Sequence, residues 1–156
     1  MLKTNSPFPP FALPDQTGAL RTETDFSGQW TVFYFYPKDN TSGCSAEAQS
    51  FAELFEEFRA LNAIIVGISP DNTKSHEKFA AKLALPFLIL SDTEHTLLTT
   101  CGVWQKKKMY GREYMGVIRT TALMDPQGLV VELWEKVKVP GHAEAVLAKL
   151  KEHIAR

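Results

Sequence analysis

Residues 31–51 read TVFYFYPKDNTSGCSAEAQSF, a strand pattern, a polar turn and a helix pattern in direct succession. The run 31–36 is β-branched and aromatic, which predicts a buried strand. After Ser45 the apolar residues recur at helical spacing. Cys44 therefore lies at the start of a helix, where free backbone N–H groups and the helix dipole favour thiolate over thiol. The pattern predicts an activated thiol.

The bulk properties describe an ordinary globular chain. Its 156 residues fit one domain, and the net charge of -1 gives no reason to expect a nucleic-acid partner. No apolar stretch approaches the roughly 20 residues that cross a bilayer. Residues 1–7 lack the apolar core of a signal peptide, and two cysteines are too few for a disulfide-dense secreted scaffold. We expect a soluble, cytoplasmic protein with no membrane partner, in which the basic run 106–108 is a solvated loop or helix face.

Strand and helix patterns alternate along the rest of the chain. The predicted elements are a hairpin at 11–21, the strand at 31–36, a helix from 45 to about 62, a strand at 63–69, a helix at 74–84, a strand at 87–90, a short helix at 95–100, a hairpin at 120–134 and a helix at 142–155. This order predicts an α/β fold with a mixed central β-sheet flanked by helices. It is the thioredoxin-like arrangement with an N-terminal β-hairpin extension, and we expect residues 1–156 to form one domain.

The residues around Cys44 closely resemble the peroxidatic-site motif of peroxiredoxins. That motif is Pro, three residues, Thr or Ser, two residues and Cys, and here it reads Pro37, Thr41, Cys44. The similarity continues through residues 67–71, 75–79, 85–87, 90–92 and 102–121. Within the family the chain is similar to the bacterioferritin-comigratory or Q-type subgroup. The resemblance implies a thiol peroxidase of the thioredoxin-dependent type, which reduces hydrogen peroxide and organic hydroperoxides without metal, haem or flavin.

The resemblance also implies a role for each site residue. Cys44 would attack the terminal oxygen of a hydroperoxide and become a sulfenic acid. Thr41 would hydrogen-bond the thiolate and the peroxide, and Arg119 would approach Cys44 and stabilise negative charge. Pro37 would shield the pocket from water, and Glu47 would position Arg119 through a charge-assisted pair. Taken singly, each residue has an ordinary structural explanation, so the prediction depends on their order as a motif.

The chain departs from the subgroup in its resolving cysteine. The two positions where such a cysteine is expected are Gln49 and Ala80. The only other thiol is Cys101, which is either a packed small residue or an unusual resolving cysteine for Cys44. We favour a one-cysteine enzyme, whose sulfenic acid is reduced by thioredoxin, glutaredoxin or a low-molecular-weight thiol. We also expect a monomer or weak dimer.

Other functions have weaker support in the sequence. A thiol-disulfide oxidoreductase normally needs Cys-x-x-Cys, which Cys44 does not begin. A non-enzymatic interaction module of the same fold would carry an unreactive Cys44. We expect no metal site, because four histidines form no pair at ligand spacing and each is interpreted as a helix surface residue: His76, His95, His142 and His153.

Overall fold

The computed structural model describes all 156 residues. The strands are β1 (Ser6–Pro7), β2 (Ala12–Pro14), β3 (Leu20–Thr22), β4 (Trp30–Phe35), β5 (Ala63–Ser69), β6 (Leu88–Ser91), β7 (Trp104–Met109), β8 (Arg112–Val117), β9 (Thr120–Met124) and β10 (Leu129–Trp134). The helices are α1 (Ser42–Glu53), α2 (Phe55–Ala60), α3 (Thr73–Leu83), α4 (Thr96–Thr100) and α5 (His142–Ile154). A 3-10 turn covers Glu23–Phe26. None of the helices is both long and apolar enough to cross a membrane.

Six strands form one mixed sheet in the order β1-β10-β9-β4-β5-β6. The central strand β4 runs parallel to β5 and antiparallel to β9, and β5 runs parallel to β6. Strands β2 and β3 form the expected N-terminal hairpin. The α/β class and the mixed central sheet predicted from the sequence are therefore confirmed. Because β4 leads into α1, the start of α1 lies at the edge of the sheet where β4 ends.

The sheet separates two apolar cores, since successive side chains of a strand point to opposite faces. In β4, Val32 and Tyr34 belong to the core formed with α1, α2, α3 and α5. Phe33 and Phe35 belong to the core formed with the N-terminal segment and α4. All four of these side chains are fully buried. Strand β4 is thus covered on both faces, which explains its continuous apolar sequence.

The prediction of a solvated loop or helix face for residues 106–108 is wrong. These lysines belong to β7, which pairs with β8 in a separate two-stranded hairpin. The turn between the strands contains Tyr110 and Gly111, both at positive φ, as a two-residue turn of type I′ requires. The strand pattern was not visible because both faces of this ribbon are mostly exposed, so its side chains do not alternate between apolar and polar.

The helix predicted from residue 45 to about 62 is two helices. It begins earlier than expected, at Ser42, and is interrupted at Leu54, where φ is -99° and ψ is 4°. The apolar spacing continues across the break because Phe51 and Phe58 both pack into the same core. Periodicity identified the buried face correctly but did not predict the break at Leu54.

Candidate active site

The turn after β4 places Cys44 in the first turn of α1. Ser45 N–H donates to Thr41 O at 2.8 Å, which closes that turn around Cys44. The cysteine side chain is only 1% exposed and is not in a disulfide. Its sulfur accepts a hydrogen bond from Arg119 Nη2 at 3.4 Å. The sulfur therefore lies at a helix N-terminus and beside a guanidinium, two surroundings that are typical of reactive cysteines.

Arg119 comes from the junction between β8 and β9, 75 residues away from Cys44 in the chain. Its second terminal nitrogen, Nη1, donates to Glu47 Oε1 at 2.5 Å. A Cβ atom at Gly43 would lie 3.3 Å from Arg119 Nη2, so a larger residue would press against the guanidinium. Arg119 is therefore held against the first turns of α1, with one nitrogen on a carboxylate and the other on the thiol.

The ion pair between Glu47 and Arg119 is largely withdrawn from water, with side-chain exposures of 1% and 17%. Burial raises the pKa of Glu47 to about 7, although Arg119 opposes this shift. Burial would lower the pKa of Arg119, but Glu47 and Cys44 hold that pKa above its ordinary value. Glu47 Oε2 and the hydroxyl of Tyr34 are buried without hydrogen-bond partners. Glu47 is consequently a site group whose charge changes near neutral pH.

Thr41 and Pro37 lie in the segment that connects β4 to α1. The Thr41 side chain is exposed, and its hydroxyl donates to Lys38 O at 2.9 Å instead of contacting the Cys44 sulfur. The expected hydrogen bond between Thr41 and Cys44 is therefore absent, because the hydroxyl closes the turn that leads into α1. Pro37 is half-buried directly after β4. The structure thus brings Cys44, Glu47 and Arg119 into contact, with Thr41 nearby but turned away.

Cys101 lies on the other side of the sheet from Cys44. It belongs to the core formed with α4 and the N-terminal segment, whereas Cys44 belongs to the core formed with α1. Leu2 N–H donates to Cys101 O at 3.1 Å, so the N-terminal segment lies against it. Burial raises the pKa of the Cys101 thiol to about 12; the chain's amino terminus opposes this shift and Asp92 adds to it. The structure does not bring the two thiols together.

A buried polar network also holds the turn before Cys44, and sequence reasoning missed it. Asp39 Oδ2 lies 2.7 Å from His76 Nδ1 and accepts a hydrogen bond from Ser75 Oγ at 2.7 Å. Asp39 Oδ1 accepts from the Tyr36 hydroxyl at 2.7 Å, and His76 Nε2 lies 3.0 Å from Leu90 O. The turn is thereby fixed to the first part of α3. The sequence signal was an aspartate inside the cysteine motif, but its partner lies 37 residues away.

Two of the four histidines contradict the prediction of helix surface residues. His76 is fully buried and His142 is 7% exposed, because α3 and α5 turn these positions towards the core. His142 Nε2 lies 2.8 Å from Thr121 Oγ1. Burial, assisted by the charge of Arg119, lowers the pKa of His142 to about 4. Both rings are structural parts of the core beside the site.

Potential metal-ligand atoms of Asp39, Asp71 and His76 lie within 4.8 Å of one another. Asp71 Oδ2 already accepts from Asp39 N–H at 2.8 Å and from Ser69 Oγ at 2.7 Å. The donors and acceptors of this cluster therefore pair with one another, as buried polar groups generally do.

Comparisons with known proteins show the family to which the chain is similar. The model of the AhpC/TSA family matches residues 4–133. "Peroxiredoxin Bcp" of Bacillus subtilis (strain 168) is 44% identical over 144 residues, covering 92% of this chain and 92% of the relative. "Peroxiredoxin Bcp" of Xanthomonas campestris pv. campestris is 46% identical over 136 residues, covering 87% of this chain and 85% of the relative.

Solved structures of similar proteins share the fold over almost the whole chain. A mutant of Xanthomonas campestris peroxiredoxin Q superposes with a TM-score of 0.88 at 44% identity, covering 92% of this chain and 91% of that one. The Xanthomonas campestris bacterioferritin comigratory protein, described for its alkyl peroxide reduction activity, superposes with a TM-score of 0.90 at 40% identity. That match covers 97% of this chain and 99% of the other.

The chain therefore belongs to the AhpC/TSA family. Within this family it is a peroxiredoxin of the Bcp or Q type, and hence a thiol peroxidase with the thioredoxin fold.

Proposed function

We propose that Cys44 is the peroxidatic residue of this peroxiredoxin and that it reduces hydrogen peroxide and organic hydroperoxides. The thiolate sulfur attacks the terminal peroxide oxygen, so that an S–O bond forms as the O–O bond breaks. Sulfur is oxidised to a sulfenic acid, and the leaving oxygen takes a proton and departs as water or an alcohol. The alkyl peroxide reduction described for the Xanthomonas campestris relative supports the organic substrates.

One observation carries the assignment: Arg119 contacts the Cys44 sulfur and the Glu47 carboxylate with its two terminal nitrogens. The guanidinium is fixed before substrate arrives, so it stabilises the thiolate and the developing charge on the leaving oxygen without reorganising. Glu47 acts by positioning Arg119. Pro37 and Thr41 line the approach, and the exposed Thr41 hydroxyl can turn from Lys38 O to a bound peroxide.

We propose the one-cysteine route for the return of Cys44 to the thiol. An external thiol attacks the sulfenic sulfur and releases water, which leaves a mixed disulfide with Cys44. A second thiol then breaks that disulfide by exchange and frees Cys44. Thioredoxin, glutaredoxin or a low-molecular-weight thiol can supply these electrons. The position of Cys101 across the sheet supports this route, because a Cys44–Cys101 disulfide needs Cα atoms within about 7 Å.

We further propose that the protein works in the cytoplasm as a monomer or weak dimer. Both cysteines are free thiols, as is usual in a reducing compartment. Size-exclusion chromatography with light scattering at several protein concentrations measures the mass of the assembly; a stable higher oligomer would contradict this part.

The test of the proposed function is intact mass and peptide mapping after one equivalent of hydrogen peroxide, without reductant. We expect one added oxygen on Cys44, with Cys101 still a free thiol. The Cys101→Ser variant should give the same product, and Cys44→Ser should give none. A Cys44–Cys101 disulfide would overturn the one-cysteine route but keep Cys44 as the peroxidatic residue. Two unmodified thiols would overturn the peroxidatic assignment.

A further inference from the structure

Lys107 differs from the two lysines beside it in β7. Lys106 and Lys108 are exposed, whereas Lys107 is half-buried. Its ammonium group donates a hydrogen bond to Val117 O at 2.9 Å. Val117 is the last residue of β8, on the opposite strand of the hairpin. The side chain of Lys107 therefore runs along the hairpin to its base instead of extending into water.

Gly116 makes room for this side chain. A Cβ atom at Gly116 would lie 2.9 Å from Lys107 Cδ, a distance shorter than any ordinary carbon contact. Lys107 is paired with Tyr114, and residues 114 and 116 lie on the same face of β8. The aliphatic part of Lys107 thus lies directly over the glycine. The side chain is long enough to place its ammonium group at Val117 O.

The base of the hairpin leads directly into the active-site residue Arg119. Arg119 follows Val117 by two residues, and its guanidinium contacts the Cys44 sulfur. Burial and the charge of Arg119 lower the pKa of Lys107, while Cys44 acts in the opposite direction. Lys107 thus places its ammonium group at the base of the hairpin, next to the segment that leads into Arg119, whereas the ammonium group of Lys106 lies 3.5 Å from Glu113 on the exposed part of the hairpin.

We propose that Lys107 is a second positive charge of the active site, which lies over Gly116 and stabilises the Cys44 thiolate together with Arg119. Lys107 acts through its field at the base of the hairpin and not by touching the sulfur. The role rests on the proposed function, since it concerns the same thiolate. It also gives the β7–β8 hairpin a part in the chemistry.

The test is the pH profile of Cys44 alkylation by iodoacetamide, measured in the Cys101→Ser background so that one thiol is read. Lys107→Met should move the midpoint of the profile upward by about half a pH unit, as expected for one partly screened charge. Lys108→Met removes the same charge one residue away and should leave the midpoint in place. A shift in Lys107→Met no larger than that in Lys108→Met would overturn the proposal.

Two further variants separate charge from packing. Lys107→Arg keeps the charge and should stay close to the wild-type midpoint; a shift as large as that of Lys107→Met would show that charge is not responsible. Gly116→Ala keeps every charge but displaces the lysine side chain, so its midpoint should move upward by less than that of Lys107→Met. An unchanged midpoint in Gly116→Ala would contradict the placement of Lys107 over the glycine. Thermal melts confirm that each variant is folded.

Peroxide reduction provides an independent measurement. Below the midpoint, Lys107→Met should reduce hydrogen peroxide about threefold more slowly, the fold-change that half a pH unit gives. The loss should disappear at higher pH, where the thiolate is fully formed; a loss that persists there would indicate a structural defect and contradict the proposal. Alkylation consumes no peroxide, so an inactive wild type would overturn the proposed function and still leave the profile of Lys107→Met readable.

Discussion

Cys44 and Cys101 are both cysteines and are buried to nearly the same extent, but their surroundings differ. Their exposed fractions are 1% and 3%. Cys44 lies in the first turn of a 12-residue helix and accepts a hydrogen bond from Arg119. Cys101 follows the last residue of α4, and burial, reinforced by Asp92, raises its pKa to about 12. The two buried thiols therefore differ in the helix N-terminus and the hydrogen-bonding guanidinium beside Cys44, on which the proposed reactivity of this residue depends.

The largest expected difference between the two cysteines is in catalysis. Cys44→Ser should abolish hydroperoxide reduction, because a hydroxyl cannot form the sulfenic acid. Cys101→Ser should keep the wild-type rate, since that side chain lies in the other core. A thiol-dependent peroxide consumption assay on both variants measures the effect. Residual turnover in Cys44→Ser would refute the comparison outright.

Arg119→Ala removes the guanidinium that donates a hydrogen bond to the Cys44 sulfur. The second-order rate constant for peroxide should fall about 100-fold, as when one preorganised donor is lost. The midpoint of Cys44 alkylation should rise by about one pH unit, because a neighbouring cation favours the thiolate. Arg112→Ala on the exposed hairpin is the matched control and should change neither quantity. If Arg119→Ala retains the wild-type rate, the guanidinium is not what activates Cys44.

Glu47→Gln tests the acidic partner of Arg119 through stability. The folded-state pKa of Glu47 is raised to about 7 from 4.5, so the folded protein binds the proton more tightly and loses stability as pH rises through this window. Between pH 4.5 and 7, the free energy of unfolding of the wild type should fall by up to about 3 kcal/mol relative to that of Glu47→Gln. Urea unfolding of both proteins at the two pH values measures it.

Because His142 also contributes to the pH dependence of stability, the effect of Glu47 must be measured as the difference between the wild type and Glu47→Gln. Its folded-state pKa is lowered to about 4 from 6.5, so its contribution to stability is lost as pH falls through this range. That contribution has the opposite sign to the one from Glu47 but is present in both proteins. An identical pH dependence in wild type and Glu47→Gln would show that Glu47 keeps an ordinary ionisation.

The smallest expected effect belongs to Cys101. Cys101→Ala removes one buried sulfur and should lower the free energy of unfolding by about 1 kcal/mol, the scale of a small cavity. Peroxidase activity should be unchanged. Urea denaturation alongside the activity assay checks both values, and reduced activity in a folded Cys101→Ala protein would contradict a purely structural role.

Local patterns predicted most of the elements but missed the β7–β8 hairpin and the break between α1 and α2, and the order of the elements predicted the mixed central sheet. The strand, turn and helix around Cys44 were recognisable because their periodicities change within a few residues. The contact of Arg119 with Cys44 is present in the structure, but only the family resemblance pointed to it, since 75 residues separate the two. The catalytic roles themselves stay predictions.

Long-range pairing explains what the sequence did not reveal. The hydrogen bond between Asp39 and His76 joins a turn to a helix, and the sequence of neither segment indicates the other as its partner. Lys107 was indistinguishable from its neighbours until the hairpin register placed Gly116 beneath it. Both features depend on which segments meet in space, and a single sequence carries no direct signal of that.

The sheet between the two cores gives the protein an internal reference for redox labelling. If Cys44 is the peroxidatic residue, as proposed, an oxidant that converts it should leave Cys101, which is buried in the other core, as a free thiol of the same molecule. After denaturation, the ratio of label on the two peptides reports the oxidised fraction of Cys44 directly, independent of how much protein was recovered. Cys101 thus serves as an internal standard for the labelling of Cys44.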